Sequence, residues 1–280
     1  ALYYDGLPLQ YTKRGLERFK DGTNPNYYPN VNWYEEGTRN FSENNQFNVM
    51  MRGGGKRVRY MALLDYKNKF GLLNEDYTHY SDRYNSQIRT YELGLRMNLD
   101  VDITSSTQMK FGLYGIIGED KRPNTAINTI FQNFYKVPAA AFPVKTLNDN
   151  WGSNTLFKMN PIAAIADVGY VQENRRMLET DMRITQDFSM FLKGLSAEVA
   201  VAYDNTATFQ DIGSKTYKYE VGYLSEEGLP VSETYGTDSK VQITKSVLSA
   251  QLIRASVEAK LNYDYTSGKH QLSASAVYRQ

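Results

Sequence analysis

The chain has 280 residues and a formal net charge of +1, a balance that supplies neither a basic field for nucleic acid nor an acidic one for cationic partners. It contains no cysteine and only two histidines, His79 and His270, which rules out thiol catalysis, Cys-ligated zinc and a disulfide framework and argues against a His-rich metal centre. No apolar run reaches the roughly 18 residues of a transmembrane helix, yet 23 Tyr, 12 Phe and 2 Trp make the chain aromatic-rich, with tyrosine dominant.

Residues 1–44 are polar, aromatic and irregular, and are expected to form an external loop region. A short helix is expected from Thr12 to Lys20, stopping near Gly22. The chain opens without an initiator Met or a signal peptide. It closes inside a strand pattern at Ala276–Gln280, so the expectation is a piece of a longer protein.

From residue 45 the pattern changes to strict alternation. Phe47, Val49 and Met51 lead into a Gly53-Gly54-Gly55-Lys56 turn, after which Val58, Tyr60, Ala62, Leu64 and Tyr66 share a face. Tyr91–Ile103 is the clearest stretch. Leu93, Leu95, Met97, Leu99, Val101 and Ile103 fall on one side, and Glu92, Arg96, Asn98, Asp100 and Asp102 on the other. A period of two means a strand with one apolar and one wet face. After a turn at Thr104–Thr107 the chain returns through Met109, Phe111, Leu113 and Ile117. Residues 45–118 are thus expected to hold two hairpins. A third (Leu178–Phe191 and Ala197–Phe209) and a fourth (Ile253–Tyr265 and His270–Tyr278) are expected within 178–280.

The tight turns all fall on one side of these hairpins. The long connectors, 68–88, 119–177 and about 210–250, fall on the other. Strands of about 11 residues, tilted near 45°, rise roughly 25 Å, the height of an outer-membrane barrel's apolar band. The fold expected is therefore all-β: part of an antiparallel up-and-down transmembrane β-barrel, with about eight or more strands of a larger barrel and long external loops. The 119–177 connector is expected to carry two short helices, one capped by Asn124, the other by Asn160 with Pro161 at its first position and Gly169 past its end.

Four motifs bear on chemistry. Asp100-Val101-Asp102-Ile103-Thr104 matches the D-x-D-x-T of phosphatases, but those aspartates end a buried parallel strand, which would be continuously apolar; two carboxylates facing a barrel lumen fit better. The glycine run before Lys56 lacks the remainder of a phosphate loop, because Arg57 and a strand follow it. Asn148-Asp149-Asn150 hints at a calcium loop, but Met159 stands where an EF-hand needs its glutamate. Glu35 and Glu36 are neighbours that point apart on an extended chain, so they make no glycosidase pair. No catalytic residue, cofactor site or metal site is assigned. Tyr3, Tyr4, Tyr27, Tyr28, Trp33 and Trp151 lie in the expected external segments and are candidates for stacking on a sugar or packing on a partner; loop self-packing is the alternative.

Several strings in order carry a resemblance: Leu16-Glu17-Arg18-Phe19-Lys20-Asp21-Gly22, Tyr28-Pro29-Asn30-Val31-Asn32-Trp33, Tyr66-Lys67-Asn68-Lys69-Phe70-Gly71, Asp120-Lys121-Arg122-Pro123-Asn124, Pro138-Ala139-Ala140-Ala141-Phe142-Pro143-Val144, Glu173-Asn174-Arg175 and Lys193-Gly194-Leu195. Together the sequence resembles the SusC/RagA-like family of TonB-dependent outer-membrane transporters. One departure is Asn44-Asn45-Gln46-Phe47, where the family pattern leads one to expect a Gln-Asn-His-Asn-like run. The resemblance implies a plugged barrel of about 22 strands in the Gram-negative outer membrane. It implies import of a glycan or peptide with a SusD-like surface lipoprotein, and energy from TonB. The plug and the TonB-contacting region are expected to lie outside these residues. The runner-up reading is a soluble secreted β-sandwich or propeller that binds carbohydrate.

Overall fold

The structure, a computed structural model, describes residues 13–280 other than Asp82 and Glu226. Tyr3 and Tyr4 lie outside the described residues. In chain order the elements are α1 (Lys13–Asp21), α2 (Trp33–Gly37), β1 (Asn44–Gly54), β2 (Val58–Phe70), α3 (Glu75–Thr78), β3 (Arg89–Asp102) and β4 (Thr107–Pro123). They continue with α4 (Ile127–Lys136), β5 (Trp151–Ser153), α5 (Ala163–Ala166), β6 (Gly169–Asp187), β7 (Leu195–Ser214), β8 (Tyr219–Leu224), β9 (Pro230–Tyr235), β10 (Gln242–Ser267) and β11 (His270–Arg279).

Eight strands form one sheet in the order β1-β2-β3-β4-β6-β7-β10-β11, every neighbouring pair antiparallel. This is an up-and-down meander, all-β as expected. The sheet is open, with β1 and β11 at its edges. Strand length follows from the alternation. An antiparallel strand can run as long as one face stays apolar and the other polar, and β10 reaches 26 residues.

Register places most apolar residues on one face and most charged residues on the other through the middle of the sheet. Tyr60 pairs with Leu99 and Leu99 with Phe111; Phe111 pairs with Met182, Met182 with Val201, and Val201 with Val257. That row is apolar across six strands. The adjacent row, on the other face, runs Arg59, Asp100, Lys110, Arg183. The apolar face is open to its surroundings: Met51 is 62% exposed and Ile117 59%. Eight strands at about 4.8 Å spacing, with eight steps from Leu93 to Val101, give an apolar surface of roughly 1,000 Å². That exceeds the patch an ordinary soluble monomer exposes. Tyr66 and Tyr91 meet edge to face, centroids 5.6 Å apart, along its margin on the side of the long connectors.

The polar face is laced with ion pairs. Arg59 grips both oxygens of Asp102, at 2.9 and 3.1 Å. Lys67 sits between Asp65 (3.0 Å) and Glu92 (3.2 Å), and Glu92 also accepts from Arg175 (2.7 Å). Gly118 lies between Glu92 and Arg175 in register, and its missing side chain lets the arginine reach across a strand.

The turns sort by end. Residues 55–57, 103–106, 188–194 and 268–269 join strands at one end; 71–88, 124–168 and 215–241 join them at the other. The long connectors are shorter than expected, because β4 and β6 continue past the apolar zone with polar residues on both faces. The third hairpin turns earlier than the alternation suggested. Phe188–Leu192 closes a helical turn, with Phe191 and Leu192 N–H donating to Phe188 O. Asn124 does not cap the first connector helix. Its amide N–H donates to Gly169 O and its side chain to Ser214 Oγ, and α4 starts after Ala126 with no side-chain cap. The second connector helix, α5, starts at Ala163, later than expected, so Pro161 lies before it and Ile162 takes the N-cap place; Asn160 closes the turn that leads in, its Oδ1 accepting from the N–H of Ile162 (2.9 Å) and Ala163 (3.2 Å). Gly169 follows with φ +90, and a Cβ there would lie 1.9 Å from Gly213 O.

Candidate functional site at the capped end

The one hydrophobic core cluster among the described residues is built by the long connectors together with the segment around α2 that precedes β1. Trp33, Leu73, Ile130, Phe134, Val137, Phe142, Trp151, Ile162 and Ile165 pack together, with Tyr217 and Tyr219 against them. Segments 31–37, 73–88, 130–166 and 217–219 thus fold into a single cap over the ends of the strands. A second sheet of three strands, order β5-β8-β9, belongs to it.

Polar knots hold the cap. Asn74 caps α3 through Asp76 N–H and donates Nδ2 to Glu36 O (2.9 Å), tying α3 to α2. Tyr77 OH donates to the Glu36 carboxylate; burial and that neighbour push its phenol well above the usual range. Tyr84 OH donates to Ala166 O (2.9 Å) and accepts from Gly169 N–H, and burial raises it to about 12. Asn160, fully buried, donates to Val144 O and Gly152 O, both at 3.0 Å, besides closing the turn before α5.

The candidate residues separate. Trp33 is 2% exposed, packs on Phe142 (5.3 Å) and donates Nε1 to Pro138 O (3.2 Å). Trp151 is also 2% exposed; its Nε1 donates to Asp167 (2.9 Å) and the Lys145 ammonium sits 3.7 Å from its ring centroid. Both indoles therefore serve the inside of the cap. Tyr28 is engaged by Arg18, which donates to its hydroxyl (2.8 Å) and lies over its ring. Tyr27 is half-buried and lines a cleft of about 230 Å³ with Asn26, Thr146, Asn148, Glu220 and Ser232. The structure brings Tyr27 to this cleft and leaves Tyr28, Trp33 and Trp151 out of it.

Glu220 organises the cleft and was missed in the sequence. It lies on β8 and is 3% exposed. Thr146 Oγ1 (3.0 Å), Asn148 Nδ2 (3.0 Å) and Asn150 Nδ2 (2.8 Å) donate to its two oxygens. The asparagines that hinted at calcium thus turn their amide hydrogens on a carboxylate. Asp149 between them takes φ 59 to make that turn. Burial alone would raise the Glu220 carboxyl, but the donors from Asn150, Thr146, Asn148 and Ser232 outweigh it and hold the group below its ordinary 4.5. With its oxygens committed to holding the loop, Glu220 is an anchor rather than an acid or base. With those donors spent on Glu220, the cleft offers the Asn26 amide, the oxygen acceptors of Thr146, Asn148 and Ser232, and one aromatic wall at Tyr27, a set suited to binding a polar chain by hydrogen bonds and stacking.

A depressed carboxyl contributes stability that is complete above its unfolded value and is lost as pH falls through the folded one. Amide protection over 146–153 and 219–221, taken relative to the intrinsic exchange rate at each pH, is therefore expected to hold from pH 7 to above 4.5 and to fall below it. Glu220→Gln presents an NH₂ to those donors and is expected to cost about 1–3 kcal/mol of local stability at pH 7. Exchange that is unchanged at pH 7 in the variant would remove the anchor role.

A chain described as "Structure of the RagAB peptide importer in the 'open-open' state" matches with TM-score 0.50 and 12% identity, over 93% of this chain and 34% of that one. The likeness is one of fold. "Structure of the RagAB peptide transporter" gives TM-score 0.49 at 14% identity, over 95% and 36%, and the 'closed-closed' importer 0.36 at 12%. The chain spans about a third of the length of these proteins. No family model matches it, and no curated protein does.

Proposed function

We propose that this chain forms part of the wall and the external mouth of a Gram-negative outer-membrane transporter of the SusC/RagA-like, TonB-dependent kind, importing a peptide or oligosaccharide under a surface lipoprotein. The observation that carries the reading is the pairing of an open apolar sheet face with a cap at only one end of the meander. An apolar face of that size needs a non-aqueous surrounding, and a closed sheet is one of the two backbones that tolerate one. Short turns at one end and long folded connectors at the other match the periplasmic and external sides of such barrels. A sandwich needs a second sheet over the apolar face, and among the described residues the three strands outside the main sheet belong to the cap. In this reading segments 13–44 and 124–168 face outward, and the cleft at Tyr27 is the chain's own contact for substrate or lipoprotein.

The test is labelling in whole cells that make the complete protein. These 280 residues contribute no cysteine background. Leu147→Cys, at an exposed cap position, is expected to react with a large PEG-maleimide in intact cells. Lys56→Cys, in a tight turn, is expected to react only after the outer membrane is opened. The reverse pattern, or reaction of both in intact cells, rejects the topology. Loss of oligopeptide or oligosaccharide uptake on deletion, restored by the intact protein, identifies the cargo class; unaffected uptake of both rejects transport.

A further inference from the structure

One position on the apolar face breaks its pattern. Arg176 lies in the row that runs Leu93, Ile117, Arg176, Ala207, with Gln251 next. Its neighbours in sequence and strand, Arg175 and Arg183, face the other way and are paired with Glu92 and Glu198. Arg176 meets no carboxylate among the described residues; its guanidinium lies over the ring of Phe209, 5.6 Å from the centroid. One row toward the tight turns, Asn205 has a buried Oδ1 with no hydrogen-bond partner, which is costly unless a donor arrives. Below them runs a groove of about 590 Å³ walled by Leu95, Leu113, Leu178 and Phe209. Its floor is Gly115, where an added Cβ would find nothing closer than 3.8 Å.

We propose that this groove is a specific site for one phosphorylated glycolipid of the surrounding membrane, its phosphate on Arg176 and an acyl chain along Gly115. The inference rests on the reading that the apolar face meets lipid and the cap lies outside. The chemistry is matched piece by piece. Arginine's planar fork suits a phosphate, and this one is free of internal acids. Asn205 lines the groove, and by turning its side chain it can present its unpartnered oxygen to a hydroxyl or amide hydrogen, which a sugar headgroup supplies beside its phosphate. The apolar trough takes a hydrocarbon chain. Arg176 also stands one row from the Tyr91, Glu119 and Asn174 row, at the margin of the apolar band. There an arginine costs about 0–1 kcal/mol rather than the midplane penalty, and its long stem lets the charge reach headgroup level.

The experiment is native mass spectrometry of the complete protein in mild detergent, titrated with a diphosphorylated, multiply acylated glucosamine disaccharide. Arg176→Gln and Gly115→Leu are each expected to weaken binding at least tenfold, the second by filling a trough that has room for the side chain. The dephosphorylated lipid should bind the unaltered protein as weakly as the phosphorylated lipid binds Arg176→Gln. Lys110→Gln, on the opposite face, should bind as the unaltered protein does. Retained binding in either groove variant, or equal weakening by Lys110→Gln, overturns the site. A Leu95→Cys variant separates the two levels. Reaction with a water-soluble thiol reagent in native membranes defeats the lipid-facing reading itself. Protection there, with lipid binding undiminished in Arg176→Gln or Gly115→Leu, defeats only the glycolipid site.

Discussion

Leu99→Arg is expected to abolish membrane assembly while Asp100→Asn leaves it intact, although the two residues are adjacent. Leu99 lies mid-strand in the apolar row, between Tyr60 and Phe111; Asp100 lies on the polar face, between Arg59 and Lys110. An arginine turned toward lipid at mid-depth costs about 2–4 kcal/mol, and the penalty applies before the sheet can close. The Asp100 change removes one charge from a face with many, and Arg59 keeps its two-point grip on Asp102. The measurement is the fraction of protein in the membrane that shows heat-modifiable migration. Equal yields from both variants would mean that the alternation does not sort lipid from lumen.

Trp151→Ala is the second large effect, and it acts on the cap alone. The ring is enclosed by Tyr80 at 5.3 Å and Tyr217 at 6.5 Å, with the Lys145 ammonium on its face and Asp167 on its Nε1. Removing a buried indole costs about 3–5 kcal/mol. Asp167 keeps Lys215, so the charge is not stranded, and the loss is mainly one of packing. Proteases are expected to cut within 124–168 and 215–241 in the variant and not in the parent, with the eight-stranded sheet still assembled. Trp151→Phe, which keeps most of the packing and drops the Asp167 bond, is expected to lie between them. Parent-like resistance in Trp151→Ala would show that the cap does not depend on this core.

The hairpins were legible because their chemistry repeats every two residues. Leu93 through Val101 can satisfy one apolar face only as a strand, and the register follows. The signal fails where both faces are wet. Residues Glu119–Arg122 and Gln172–Arg175 continue β4 and β6 with polar groups on both sides, so alternation cannot mark them. It fails again in β10, whose alternation is clear only from about Ile253 although the strand begins at Gln242. Register shifts between Thr244 and Val247 and between Leu248 and Ala250 slip the period by which a strand is recognised. Tyr217, Tyr219, Val221 and Tyr223 did alternate, and a closer reading of them could have found β8. The cleft was harder. Glu220 looks like any loop carboxylate until Thr146, Asn148 and Asn150, some seventy residues away, are folded around it. Loop tryptophans are equally mute, since burial of Trp33 depends on Pro138, 105 positions on.

The placement of those two indoles gives the molecule a built-in optical reporter. They are the only tryptophans in these 280 residues, and both stand in the cap, neither on the eight-stranded sheet. Within this stretch, intrinsic emission under 295 nm excitation is therefore blind to strand insertion and sensitive to closure of the connectors. A refolding time course followed by fluorescence and by electrophoretic migration would give two separate clocks. A blue shift that lags the migration change would show that the strands register first and the mouth closes over them afterwards.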